Sequence, residues 1–172
     1  MANELTRRKL REAAFFLGEM QKREGSSRLD KEEEFGYCLS AFLSAARSVS
    51  FVLRKENVLT YEGERDSWLR SLEGSTRVIV NFMRDQRNAA LKEGSVASGQ
   101  NVEHVPVSMA DKSLSRSRFP ASVIIGPWGF ADGATIGVAR YVLLLDGVER
   151  PAVEACRDYL AALERLVARF DA

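Results

Sequence analysis

Histidine occurs once in this chain, at His104, and cysteine twice, at Cys38 and Cys156. A lone histidine, with no second His or Cys at ligand spacing, leaves a zinc-type site without its donors. Ser/His/Asp or Cys/His catalysis would have to use that one histidine, on a loop or edge strand, and no GxSxG elbow is present. The two cysteines lie far apart, each within an apolar helical pattern, so each reads as a small hydrophobe and a disulfide framework is not expected. A reducing cytoplasm fits that usage. An excess of charge is missing too: 25 Lys and Arg stand against 24 Asp and Glu, a formal net charge of +1. No global field therefore draws the chain to nucleic acid or to anionic lipid, and any polyanion site must be a local patch. No uncharged apolar run reaches the length of a membrane span, and Glu19 cuts short the apolar "AAFFLG" near the beginning. These absences predict a cytoplasmic protein with no membrane contact, no metal and no cofactor.

What is present is the balance of a folded globular chain, 45% hydrophobic and 28% charged over 172 residues. Four segments carry helical periodicity. The first spans about Thr6 to Glu24, with Leu10, Ala13, Ala14, Leu17 and Met20 on one face, and Gly25-Ser26-Ser27 ends it. The second starts near Asp30, where Asp30-Lys31-Glu32-Glu33 resembles a capping box with acids at the positive helix end, and runs to about Lys55. Its core stripe is Phe35, Leu39, Phe42, Ala46, Val49 and Leu53. Beside that stripe Gly36, Ser40, Ser44 and Ser48 recur every four residues, a file of small side chains that lets another helix approach closely. Arg47 interrupts the file, and it either snorkels outward or helps line a site.

A connection and a short helical piece around Trp68 lead to a third long helix, about Ser75 to Glu93, with Val78, Ile79, Phe82, Met83 and Ala90 facing the core. Gly74 either breaks or bends that join. After Gly94 the texture changes to β-branched and aromatic runs punctuated by Gly and Pro: "HVPVSMA", "ASVIIGPWGF" and "ATIGVARYVLLLDG" predict two or three strands of a small antiparallel sheet. Pro106 places the first of these at an edge, and Asp146-Gly147 ends the last in a turn. Pro151 suits the first turn of a closing helix with Val153, Cys156, Leu160, Leu163, Val167 and Phe170 on its apolar side. The expected fold is mainly α: a single domain over 1–172, a four- to five-helix bundle from 6–93 and 150–170, and a β hairpin or sheet at about 104–146 before the C-terminal helix.

Two stretches invite a functional reading. "IIGPWGFADGATIG" has spaced glycines after a strand, yet a strand follows where a phosphate loop needs a helix. Its glycines read as hairpin and bulge residues, with Trp128 and Phe130 at the turn as a sticky tip for a protein partner. In "RDQRNAALKEG", Arg84, Asn88 and Lys92 are four apart and share a helix face, with Arg87 one step round. Such donors suit a phosphate; they equally suit the negative end of a helix dipole, with Asp85 or Glu93 as ion-pair partners.

The run "EFGYCLSAFLSAARSVSFVLRKE", followed by "RDSWL" and "RDQRNAALKEG", resembles the HEPN superfamily of small helical-bundle domains, over roughly Phe15 to Gly94 with the closing helix from Arg150 as a further member. The resemblance implies a homodimer and a metal-independent ribonuclease site near a helix end, marked by an Arg, a polar residue and a His four to six residues on. Arg87 and Asn88 match the first two positions, and Lys92 stands where the pattern has His. A histidine titrates near neutrality and can exchange protons with a ribose hydroxyl, whereas a lysine ordinarily stays charged. The expectation is therefore a non-catalytic HEPN-like module that binds RNA or a nucleotide, in a toxin–antitoxin or defence setting, with Arg47, Arg84, Arg87, Asn88 and Lys92 lining a basic cleft. The alternatives are a ribonuclease in which Arg87 stabilises the phosphate, Asn88 orients it and Lys92 replaces the histidine, or a dimeric scaffold without ligand that docks proteins through its β turn.

Overall fold

Phe35, Leu39, Phe42, Ala46, Val49 and Leu53 recur at three- and four-residue spacing and are completely buried. Burying each large apolar side chain contributes roughly 1.5–3 kcal/mol, so this stripe decides which side of its helix faces inward. The computed structural model describes residues 3–24, 32–93, 99–106 and 135–171, with side chains over 3–24, 33–85 and 141–171. Its elements are α1 (Glu4–Arg23), α2 (Glu32–Glu56), α3 (Tyr61–Ser71), α4 (Gly74–Glu93), β1 (Gly99–Pro106), β2 (Thr135–Leu145), β3 (Val148–Pro151) and α5 (Ala152–Ala168). The fold is mainly α, a helical bundle with a small antiparallel sheet before the last helix.

α1 and α2 form an antiparallel pair, tied at one end by Arg23 to Glu34 at 3.2 Å and at the other by Glu56 to the start of α1. At that second end the Glu56 carboxylate accepts from the Leu5 amide (3.1 Å), the Thr6 amide (3.2 Å) and the Thr6 hydroxyl (2.5 Å). A carboxylate at the close of α2 thus caps the first turn of α1, satisfying donors that a helix start leaves open. Asn57 Nδ2 donates to Asn3 Oδ1 at 2.7 Å, and Asn3 Nδ2 donates to the Phe170 carbonyl at 3.0 Å, which draws the end of α5 into the same clasp. Asn3 and Thr6 are the buried polar residues among those described, and both are spent here.

α5 supplies ten buried residues, Leu163 and Leu166 fully so, and closes the bundle against α1, α2 and α4. The sheet runs in the order β1-β2-β3, antiparallel throughout. On β2, Tyr141, Leu143 and Leu145 point inward and Leu144 outward, the period of two that one-sided burial demands. Tyr141 stacks on Phe35 with ring centroids 3.8 Å apart, fixing the sheet to the start of α2. Asp146 and Gly147 both have positive φ, 49° and 81°, and connect β2 to β3 as a two-residue hairpin.

Several expectations shift in detail. Ala14 is exposed, because the face of α1 centres on Ala13, Leu17 and Met20. Leu72 and Glu73 leave the helix, so Gly74 opens α4 and α3 stands as a separate element. Pro151 is the N-cap of α5 and the last residue of β3, a strand absent from the sequence reading. β1 starts at Gly99, inside the stretch read as a loop, and pairs Pro106 with Thr135. "ASVIIGPWGF", with Trp128 and Phe130, and the Asp30 capping position lie outside the described residues. Both cysteines are free thiols, Cys156 buried and Cys38 half-buried. Among the described residues one helix, Glu33–Glu56, is long and apolar enough by length and composition to span a membrane, with a mean hydropathy of 1.3 over an 18-residue window, though it passes as the core helix of a bundle does.

The cross-helix cap yields a prediction. Glu56→Ala leaves two α1 amides and the buried Thr6 hydroxyl without an acceptor and should lower stability by about 1–3 kcal/mol in urea unfolding at neutral pH. A variant as stable as the parent would remove the clasp from the account of the fold.

Candidate anion-binding cleft

Arg47 follows Ala46, so the helical step carries it from the buried stripe to its margin. There it is half-buried, with its guanidinium 4.9 Å from the centroid of the Phe51 ring. Two turns further along α2 comes Arg54, and across the Asn57–Thr60 turn the first residues of α3 bring Tyr61, Glu62 and Arg65 alongside. These residues and Ser50 enclose a cleft of about 190 Å³. The chain reverses tightly between the two helices: the Tyr61 amide donates to the Asn57 carbonyl at 2.9 Å, and Tyr61 is buried against Phe170 with centroids 6.1 Å apart. The cleft therefore rests on core residues rather than on a loop.

Its electrostatics are unequal. Three guanidiniums and one carboxylate line the cleft, and Arg65 also meets Asp66 at 3.5 Å. Glu62 is shared, at 3.0 Å from Arg54 and 3.6 Å from Arg65. Arg47 forms no ion pair among the described residues; its neighbour is an aromatic face, an arrangement that keeps the charge available. The positive end of α3 opens on the same space, and no side chain caps it. The negative end of α2 works the other way and is met by Arg54 and Lys55 in its last turn. The sum is a small concave surface with forked donors and a half-exposed ring, able to hold an oxyanion and stack a planar group beside it.

Of the residues singled out from the sequence, Arg47 lines this cleft and Arg84 does not. Arg84 Nε pairs with Asp85 at 3.0 Å, on a surface where both side chains are exposed. The two arginines do act on one group: burial pushes the phenol of Tyr159 up to about 12, and the charges of Arg47 and Arg84 pull it back, against Tyr61 and Cys156. Both cations thus lie within electrostatic reach of the same α5 side chain. Arg87, Asn88 and Lys92 belong to α4, but their side chains lie outside the described residues, as do Trp128 and Phe130. Sequence reasoning missed Arg54, Arg65, Tyr61 and Phe51. Arg54 and Phe51 could have been found as a turn-spaced continuation of Arg47 on α2; Arg65 comes from another helix and left no such signal. A second cleft of about 330 Å³ lies between α3, the start of α4 and α5. Its Arg169 is already held by Glu64 at 3.4 Å and by the Ser67 hydroxyl at 3.2 Å. Among the described residues no cluster of His, Cys, Asp and Glu could hold a metal ion.

No family model, curated protein or solved structure matches the chain.

Tyr159 supplies a pH test. Its folded value lies above the ordinary 10.0, so below pH 10 both folded and unfolded chains keep the proton and stability is undiminished. Between pH 10 and about 12 the unfolded chain ionises first, and stability falls by up to about 3 kcal/mol. Tyr159→Phe should flatten that alkaline decline in denaturant titrations; an unaltered profile would contradict the buried, charge-flanked phenol.

Proposed function

We propose that this chain is a non-catalytic, HEPN-like binding module of the cytoplasm that holds the phosphate of RNA or of a nucleotide in the cleft between α2 and α3. One observation carries the reading: Arg47 lies over Phe51 with no ion pair among the described residues, beside Arg54 and Arg65, which share Glu62 while Arg65 also meets Asp66. A phosphate oxygen would complete what Glu62 leaves unsatisfied, and the Phe51 ring would take a base or ribose edge. Arg84, Arg87, Asn88 and Lys92 on α4 would extend the positive surface along a longer strand. The near-zero net charge fits a site of a few contacts rather than a long polyanion track. The toxin–antitoxin or defence setting follows from the family resemblance alone. The lysine at position 92 supports binding over cleavage, since an ammonium holds charge and does not relay protons near neutrality.

The test is fluorescence anisotropy with a labelled single-stranded RNA across a salt series. Arg47→Ala should weaken binding about tenfold, and losing Arg54 and Arg65 as well should flatten the salt dependence by about 0.7 per phosphate contact removed. Unchanged affinity in all three variants would discard the cleft. Arg87→Ala is expected to weaken binding with the fold intact, and unchanged affinity there would confine the site to α2 and α3. Metal-free RNA cleavage that Lys92→Ala stops would establish a nuclease instead.

A further inference from the structure

The second cleft, between α3, the start of α4 and α5, is lined by groups whose needs the chain itself leaves unmet. Trp68 forms part of its wall and is 5% exposed, and its buried indole N–H has no acceptor. A buried donor without a partner costs roughly 1–3 kcal/mol, so one kept in the wall of a cleft calls for an acceptor from outside. Arg165 and Glu73 line the same cleft, one from α5 and one from the link that opens α4, and both are exposed. Neither forms an ion pair or a side-chain hydrogen bond among the described residues, with the other or with any further group.

The cleft's other cation is committed. Arg169 lies across α3, reaching Glu64 at 3.4 Å, the Ser67 hydroxyl at 3.2 Å and the Ser71 hydroxyl at 3.5 Å. These partners share one face of α3, and together they hold the guanidinium as a fixed wall. Glu73 has its backbone fixed as well: its carbonyl accepts from the Arg77 amide at 2.9 Å, in the first turn of α4, while its carboxylate stays unengaged. The charges then choose the ligand. A simple anion drawn to Arg165 would also meet Glu73, and a simple cation drawn to Glu73 would meet Arg165. A molecule carrying both charges satisfies the two at once. The cleft's volume of about 330 Å³ sits at the low end of the roughly 300–1,000 Å³ of small-molecule sites, which suits one small molecule rather than a strand of polymer.

We propose that this second cleft binds a small zwitterion, a free α-amino acid, independently of the phosphate cleft. Its carboxylate takes the Arg165 fork and the Trp68 indole N–H, and its ammonium takes Glu73. The indole N–H is covered from solvent, so the carboxylate reaches it through a small rotation of the ring, and the tryptophan becomes the reporter of binding. Leu72, 8% exposed, and the Trp68 ring offer the ligand's side chain its apolar surface.

Proton–nitrogen correlation spectra test this on the full chain. Tryptophan occurs twice, so in a Trp128→Phe background the remaining indole signal belongs to Trp68. Titration with each standard amino acid in turn should move that signal saturably for at least one of them. N-acetylation, which removes the ammonium, and amidation, which removes the carboxylate, should each weaken that ligand about tenfold, as should Glu73→Gln and Arg165→Gln. Both replaced side chains are exposed, so the melting temperature without amino acid should stay at the parent's. Arg47→Ala should leave the titration unchanged, which separates failure here from failure of the phosphate cleft. No shift with any amino acid overturns the proposal. So does a shift that acetate or inorganic phosphate reproduces at the same concentration, or one that survives both Glu73→Gln and Arg165→Gln.

Discussion

A helix of 25 residues in a bundle of this size can hide one side only, and in α2 that side is taken by Phe35, Leu39, Phe42, Ala46, Val49 and Leu53. The removal of these six side chains from water is the constraint on which the rest depends. Once they face α1, α4 and α5, the remaining positions have no freedom. Arg47 must emerge at the margin of the core, Phe51 and Arg54 must open toward solvent, and Tyr37 with the serines must form an outer strip. The cleft and the strip are two consequences of one burial choice.

The clasp at the far end of α2 converts that choice into a defined site. Glu56 holds the start of α1, Asn57 holds Asn3, and Asn3 holds the end of α5. The chain then turns within four residues to start α3, so Glu62 and Arg65 arrive beside Arg54 on a short, hydrogen-bonded connection. Tyr61, stacked on Phe170, closes the floor. A ligand held there would meet donors on two helices whose backbones are fixed by packing, with Arg54 and Arg65 already drawn together by Glu62.

The sequence declared its long-period features and kept its long-range ones hidden. Six core positions on α2 and five on α5 were legible because burial repeats every three or four residues, and the Asp146-Gly147 turn was legible from its residue types; the inward and outward sides of β2 were not, since Tyr141 to Leu145 is a continuous apolar run. β3 was not, since a four-residue edge strand carries no periodicity and its last residue, Pro151, reads equally well as a helix start. The Glu56 cap joins residues about fifty positions apart, and no local pattern announces such a pair. The site divides in the same way. Arg47 stood out as a cation within a file of small residues, but Arg65 joins it only through the fold. Arg84, grouped by sequence with the α4 donors, pairs with Asp85, one of the two acids the sequence offered as partners.

The central claim is that the guanidiniums of α2 and α3 hold phosphate in one shared cleft. Arginine Nε–H resonances followed by NMR during titration with a nucleoside monophosphate report on this directly. The account predicts saturable shifts at Arg47, Arg54 and Arg65 with one common dissociation constant, while Arg169, committed to Glu64 and Ser67, stays still. Shifts confined to other arginines, or none at concentrations that saturate phosphate sites of this kind, would contradict it.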